Sequence, residues 1–392
     1  MNIKKEIETM VPKLVECRHE LHSWPETAFE EHRTSDFITK ELKSLGLEVE
    51  QGIAGTGVVA TLTKGEGKRE KAIGLRADMD GLDIHEENSF DYKSTNEGKM
   101  HACGHDGHMT MLLGAAEYLS RNDTFSGTIH FIFQPAEENE GGGNEMIKDG
   151  LFEKYPVEAV FGLHSFPILP LGYFATRKGP MMAAFDIFDI KINGTGGHAA
   201  MPHLTRDPIV AASYMINQFQ SIVSRNSDPV ESAVVSVTDI HGGTTYNVIP
   251  ETVNLRGTTR HFQPHIQDMV EQRLKEITDG VASSTGVNTE FKYERRYPAT
   301  VNSSNETDEA IKAASMITGA EKVLTDLPPV MGSEDFAFML KEKPGAYIAL
   351  GAGDPKPGGM MHQSKFDFND EVIPIGVSYW TNLIENLLPL GS

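Results

Sequence analysis

The sequence predicts an α/β fold: a larger domain whose mostly parallel sheet is flanked by helices, interrupted by a ferredoxin-like βαββαβ satellite domain. Three observations carry that expectation. Apolar, β-rich runs at 72–75, 127–133 and 159–163 alternate with helical stretches, the order of βαβ units. Each run leads straight into polar groups: Arg76-Ala77-Asp78-Met79-Asp80, Gln134-Pro135-Ala136-Glu137-Glu138 and His164. Parallel neighbours bring such carboxyl ends to one edge, where antiparallel ones would scatter them. From about residue 184 the order becomes strand, helix, strand, strand, helix, strand, over the length of one small domain.

Taken in order, Ile3, Ile7, Met10, Leu14 and Leu21 recur near a helical period, so residues 3–21 form an amphipathic helix, and Pro25 keeps it from continuing. Phe37, Ile38, Leu42 and Leu45 mark a second helix, ended by Gly46. Val58-Val59-Ala60-Thr61-Leu62 and Ala72-Ile73-Gly74-Leu75 are strands, and residues 109–119 are an Ala-rich apolar helix. In the satellite, 185–192, 232–240, 248–258 and 289–297 read as strands, with helices at 207–223 and 264–281. Between 306 and 352 the chain returns to helix, Pro-rich turn, helix and strand, then closes on an apolar helix near 372–388. These last elements have too little apolar surface to fold alone, so they complete the first sheet. The expected domains are 1–183 with 299–392, and 184–298.

At 392 residues the chain exceeds one ordinary core, and its apolar (39%) and charged (23%) fractions are those of a globular protein. A net charge of -21, with no interleaved stripe of Lys, Arg and aromatic residues, argues against nucleic acid or an anionic membrane as partner. The amino terminus is acidic where a signal peptide would be apolar, and no apolar run of about 18 residues occurs. Cys17 and Cys103 are too few for a disulfide framework. A reducing, cytoplasmic location is the expectation.

Chemistry is densest in Met100-His101-Ala102-Cys103-Gly104-His105-Asp106-Gly107-His108. Thiolate and imidazole together suit Zn²⁺, Mn²⁺ or Co²⁺ better than Mg²⁺ or Ca²⁺. The plainer reading is a polar loop entering a helix capped by Asp106. What weighs against it is the supply of matching ligands elsewhere: His164, the Glu137-Glu138 pair and a late His362. Two metals need roughly five or six protein ligands with at least one bridge. If one glutamate of the pair ligates, its neighbour is left as the general base for a metal-activated water. Alone, His362 is more often a surface or packing residue than a ligand, and His198 in Gly194-Thr195-Gly196-Gly197-His198-Ala199-Ala200 reads as an incidental residue of a tight turn.

Together, Arg76 to Leu82, Met100 to His108, Gln134 to Glu138, Gly162-Leu163-His164, Gly196 to Ala200, Asn247-Val248-Ile249-Pro250-Glu251, Gly332-Ser333-Glu334-Asp335-Phe336 and Met361-His362 form an ordered set. That set resembles the aminoacylase/carboxypeptidase family of metal-dependent amidohydrolases, in its hippurate hydrolase and N-acyl-amino-acid deacylase branch. From Leu21-His22-Ser23-Trp24-Pro25-Glu26 to His362 it covers nearly the whole chain. Each motif is weak alone; their order is specific. The resemblance implies that Cys103, His105, Glu138, His164 and His362 hold two divalent metal ions, Mn, Zn or Co, with Cys103 bridging and Glu137 as general base. It also implies that His198 stabilises the tetrahedral oxyanion, sometimes from a neighbouring subunit, and that Asn247 and Arg256 contact substrate. The satellite would close over the site and form a homodimer or homotetramer. One departure stands out: many members carry a metal-binding His-x-Asp where this chain has Arg76-Ala77-Asp78-Met79-Asp80, which leaves Asp78 to orient a ligand histidine instead.

The expected activity is hydrolysis of a small N-acyl amino acid to a carboxylate and a free amino acid. A dipeptidase or aminopeptidase of the same family is the alternative within metal chemistry. Cys103 as a nucleophile paired with a histidine is the alternative outside it, and a metal- or acyl-amino-acid-binding protein without turnover is the non-enzymatic one.

Overall fold

In the computed structural model, which describes residues 1–65, 71–138 and 140–390, four strands run parallel side by side. In sheet order they are Gly127–Gln134, Ala72–Asp78, Ala159–Phe166 and Gly345–Gly351. All four are buried along nearly their whole length, so they read as unbroken apolar runs rather than alternating ones. Gly57–Lys64 and Glu48–Ile53 extend the sheet antiparallel on one side. On the other side Phe174–Ala175 and Val323–Leu324 complete eight strands. The register sets the site: Asp78 pairs with Gln134, and Arg76 with both Ile132 and Gly162. Asp78, Gln134 and His164 therefore finish level at the carboxyl edge.

The helix His105–Arg121 is buried from His105 through Leu119. It lies against Lys5–His22, Ile373–Leu387 and the sheet, which explains why it is apolar nearly all round. Gly107 and Gly114 sit where neighbours press closest: a Cβ on Gly107 would fall 2.1 Å from the Phe368 ring. The helix starts four residues before the expected Met109. Gly104 adopts the left-handed conformation (φ 93°) that turns the chain into it, and His105, Asp106 and His108, which look like loop residues in sequence, are buried polar members of its first turn. The sequence reading also missed Glu48–Ile53, whose Glu48, Glu50 and Gln51 disguise a polar edge strand.

By contact the chain divides into two units: Met1–Met181 with Thr300–Pro328 and Asp335–Ser392, and Met182–Ala299 with Pro329–Glu334. The second unit has an antiparallel sheet in the order Ala233–Gly242, Thr252–His261, Ala184–Asn193, Asn288–Tyr297. Its strands alternate buried and exposed residues, with the helices Pro208–Ser221 and Pro264–Thr285 packed against the sheet. Where one strand over 248–258 was expected there are two, Val248–Ile249 and Thr252–His261. Pro250 lies in the break, having no N–H to give a ladder.

Candidate metal centre

Three loops at the carboxyl edge converge with the first turn of the buried helix. Ligand atoms of Cys103, His105 and His164 lie within 4.8 Å of one another, and so do those of Cys103, Glu138 and His362. These two triads share the Cys103 sulfur. A further group within the same distance joins His105, Glu137 and Glu138. All five residues singled out as ligands, and the proposed base, thus meet in one place. Cys103 Sγ stands 3.4 Å from His164 Nε2. His362 has a left-handed backbone (φ 62°), and its N–H donates to Ala102 O at 2.8 Å, which pins it beside the cysteine loop.

Two of the imidazoles, His164 and His105, are oriented from behind. His164 Nδ1 donates to the Ser165 carbonyl at 2.7 Å, leaving Nε2 with its lone pair toward Cys103. His105 Nδ1 lies 3.2 Å from Asp80 Oδ1, and the other Asp80 oxygen accepts the Glu138 N–H at 2.9 Å. Asp78 faces two histidines: Oδ1 takes His108 Nδ1 at 2.7 Å and Oδ2 stands 3.8 Å from His105 Nε2, while His108 Nε2 accepts the Ser165 N–H at 2.9 Å. Asp80 makes the hydrogen bond to His105, which opens the helix and faces the second carboxylate of the Asp78-Met79-Asp80 run.

The donor set fits divalent cations on its own electrostatics. Burial lowers the His105 pKa, but Asp78, Asp80 and Glu138 outweigh it and carry it up to about 10. His105 Nε2 is buried with no hydrogen-bond partner among the described residues. A ring nitrogen without a hydrogen bond, set among three carboxylates, suits a cation. Glu138 Oε1 is likewise buried without a hydrogen bond among the described residues, although His362 Nε2 approaches to 3.1 Å. This contact is the first cause that raises the His362 pKa, and two ligand atoms so close suit a common metal partner. Burial pushes the Cys103 thiol well above its ordinary value, with Glu138, Glu137 and Asp78 pushing the same way, so it ionises only against a cation.

The three remaining expected residues lie in the second unit. His198 pairs with Val248, so His198 and Asn247 are neighbours across a two-stranded ladder. Ala200 N–H donates to His198 Nδ1 at 3.1 Å, and the side chain is exposed. Arg256, 67% exposed, lies on the four-stranded sheet with its Nε 3.0 Å from Asp189 Oδ1, apart from that ladder in the pairing pattern.

Sequence reasoning missed a charged cluster behind the helix. His22 Nδ1 meets Asp106 Oδ2 at 2.8 Å, His22 Nε2 meets Glu86 Oε1 at 3.3 Å, and Arg18 Nη1 stands 3.5 Å from Asp106 Oδ2. Asp106 anchors the ligand helix rather than capping it. Burial lowers the His22 pKa, but the hydrogen bonds to Asp106 and Glu86 more than offset this and raise it to about 9. Folded His22 therefore holds its proton more tightly than the unfolded chain, which titrates near 6.5. The resulting stabilisation, on the order of 3 kcal/mol, is complete below that value and vanishes as pH rises through about 9. Urea unfolding of chelator-treated wild type and His22→Gln should show their stability gap closing over this interval. A gap flat with pH would refute the charge assignment.

Known proteins share both the sequence pattern and the fold. The sequence model of peptidase family M20/M25/M40 matches residues 74–386. Hippurate hydrolase of Campylobacter jejuni is 39% identical over 383 residues, covering 98% of each chain. Thermostable carboxypeptidase 1 of Saccharolobus solfataricus is 38% identical over 380 residues, covering 95% of each. Among solved structures, the Bacillus subtilis YXEP protein, a dinuclear metal-binding peptidase of the M20 family, is similar with a TM-score of 0.83 and 31% identity, over 97% of this chain and 99% of that one.

Proposed function

This chain belongs to peptidase family M20/M25/M40, and on that premise we propose how its residues carry out metal-dependent hydrolysis of the amide bond of an N-acyl amino acid. The observation that carries the reading is the pair of ligand triads sharing Cys103, with Glu137 beside them. Cys103, His105, Glu138, His164 and His362 would hold two divalent ions, of which Mn, Zn and Co suit the mixed thiolate, imidazole and carboxylate set. When bound, the ions supply Lewis acidity that polarises the amide carbonyl and makes water nucleophilic near neutral pH.

The chain's own groups do the rest. Glu137 takes the proton from the attacking water and passes it to the leaving nitrogen, so acid and base are one carboxylate at successive moments. Because His198 Nδ1 accepts the Ala200 N–H, the neutral ring carries its proton on Nε2, a donor for the developing oxyanion. Thr245 Oγ1 donates to Asn247 Oδ1 at 3.2 Å, which leaves the Asn247 amide NH₂ to bind the substrate carboxylate. Arg256 is held by Asp189 and lies 3.9 Å from Asp239, so it serves substrate only by exchanging those carboxylates for the substrate's.

We take residues 184–298 as the satellite lid and dimerisation domain. Its strand Ala233–Gly242 is a sheet edge, and Ile209, Val210 and Tyr214 are exposed on the neighbouring helix. An unpaired edge beside an apolar helix face suits a second copy, as a homodimer or a homotetramer. No helix of the described residues is long and apolar enough to cross a membrane, and we read the enzyme as cytoplasmic.

The test is release of free amine from N-acetyl and N-benzoyl amino acids against the matching dipeptides. Protein would be stripped by chelator and reloaded separately with Mn²⁺, Zn²⁺ or Co²⁺. Stripped protein should be inactive, and reloaded protein should favour the acylated amino acids by at least about tenfold. Faster cleavage of the dipeptides would make the enzyme a peptidase, and turnover indifferent to chelator would remove the metals.

A further inference from the structure

Glu137 leaves the strand Gly127–Gln134 through a constrained turn. Ala136 has a left-handed backbone (φ 53°), and a Cβ on Gly142 would lie 1.8 Å from the Pro135 carbonyl oxygen. On the far side of that turn, Glu137 Oε1 accepts the backbone N–H of Asp335 at 3.3 Å. The Asp335 carboxylate is itself gripped from three directions. Arg76 Nη2 donates to it at 2.9 Å, Gln134 Nε2 reaches both oxygens at 2.9 Å, and the Gly143 N–H donates at 2.8 Å. Arg76 also donates to Asp78 at 2.7 Å and to Gln134 Oε1 at 2.8 Å. Arg76, Gln134, Asp335 and Glu137 are all buried. A Cβ on Gly143 would come within 3.0 Å of Gln134 Oε1 and 3.3 Å of Asp335 Oδ2, so that position is filled to contact.

We infer that Asp335 is a positioning residue for hydrolysis: clamped by Arg76, Gln134 and Gly143, it fixes the peptide N–H that aims the Glu137 carboxylate. The clamp ties the ends of two neighbouring strands, through Arg76 and Gln134, to the start of the helix Phe336–Glu342. Arg76 is permanently charged and sits between Asp78 and Asp335, so the clamp brings its own countercharge to the surroundings of the base. A base that must reach a water and then a leaving nitrogen is sensitive to aim.

The inference rests on Glu137 being the base, and the test separates the two. Asp335→Asn keeps the side-chain shape and the backbone N–H but, whichever way the amide turns, sets its NH₂ against two of these donors. On folded, metal-loaded protein with an N-benzoyl amino acid, kcat should fall about 10–100-fold while KM and metal content stay at wild type. In a Glu137→Gln background the same change should cost nothing further, because there is no base left to aim. Wild-type kcat in Asp335→Asn, or an equal loss in both backgrounds, overturns the inference. If Asp335→Asn does not fold, Gln134→Met decides the matter: it removes a clamp partner and no charge, and an unchanged kcat in it is equally fatal. Near wild-type turnover in Glu137→Gln alone would instead sink the assignment of the base.

Discussion

Glutamine at position 137 should slow kcat by about 10²–10⁴-fold with both cations still bound. The substitution preserves shape and keeps an acceptor for the Asp335 N–H, so fold and aim survive; only the capacity to take a proton is lost. Glu138→Gln should behave differently, since Glu138 Oε1 lies 3.1 Å from His362 Nε2 and shares a ligand triad with it and Cys103. That variant should lose metal first and activity as a consequence. The strained turn at Ala136 sends the two neighbours different ways: the Glu138 backbone N–H is fixed on Asp80 at 2.9 Å, while the Glu137 side chain turns to Asp335. Metal analysis beside initial rates distinguishes the pair. Glu137→Gln turning over near the wild-type rate, or losing metal as Glu138→Gln does, would erase the distinction.

Much of this centre could be read from sequence, because strand ends and chemistry coincide there. Apolar runs that stop at Asp78, Gln134 and His164 announce a parallel sheet with its polar groups on one edge, and the observed register makes them level. What sequence could not say is which carboxylate serves which histidine. That depends on where the helix begins, and Gly104 begins it at His105, so Asp80 hydrogen-bonds His105 while Asp78 hydrogen-bonds His108 and stands 3.8 Å from His105. The cluster of Arg18, His22, Glu86 and Asp106 was hidden for another reason. Glu86 and Asp106 are 64 and 84 positions from His22 along the chain, and a charged residue on an amphipathic helix ordinarily reads as solvent-facing. Leu21-His22-Ser23-Trp24-Pro25-Glu26 did mark the place, as a motif without a mechanism. Asp335 was noticed in the same way, within Gly332 to Phe336, and only its contacts show what it holds.

Cys103→Ser should take the protein from two cations to at most one and cost on the order of 10²-fold or more in turnover, beyond what loss of an outer partner costs. The sulfur belongs to both triads, so no other single side chain removes a donor from each. Serine offers a hard, protonated oxygen in its place and does not bridge as a thiolate does. The competing account, in which this thiol attacks the substrate, requires a thiolate in the absence of metal. The surroundings oppose it: burial raises the Cys103 pKa, and Glu138, Glu137 and Asp78 add to the shift. Cys17 is raised to about 11, by burial first, so neither thiol of the metal-free fold is reactive near neutrality. Iodoacetamide at about pH 8, near the ordinary thiol pKa, should accordingly label native apoprotein far more slowly than the urea-unfolded chain. Metal-loaded enzyme should come through the same treatment with its turnover intact, because its sulfur is occupied. Stoichiometric labelling of Cys103 that abolishes activity while both cations remain would return the residue to nucleophilic chemistry and dissolve the shared bridge on which the two-metal reading stands.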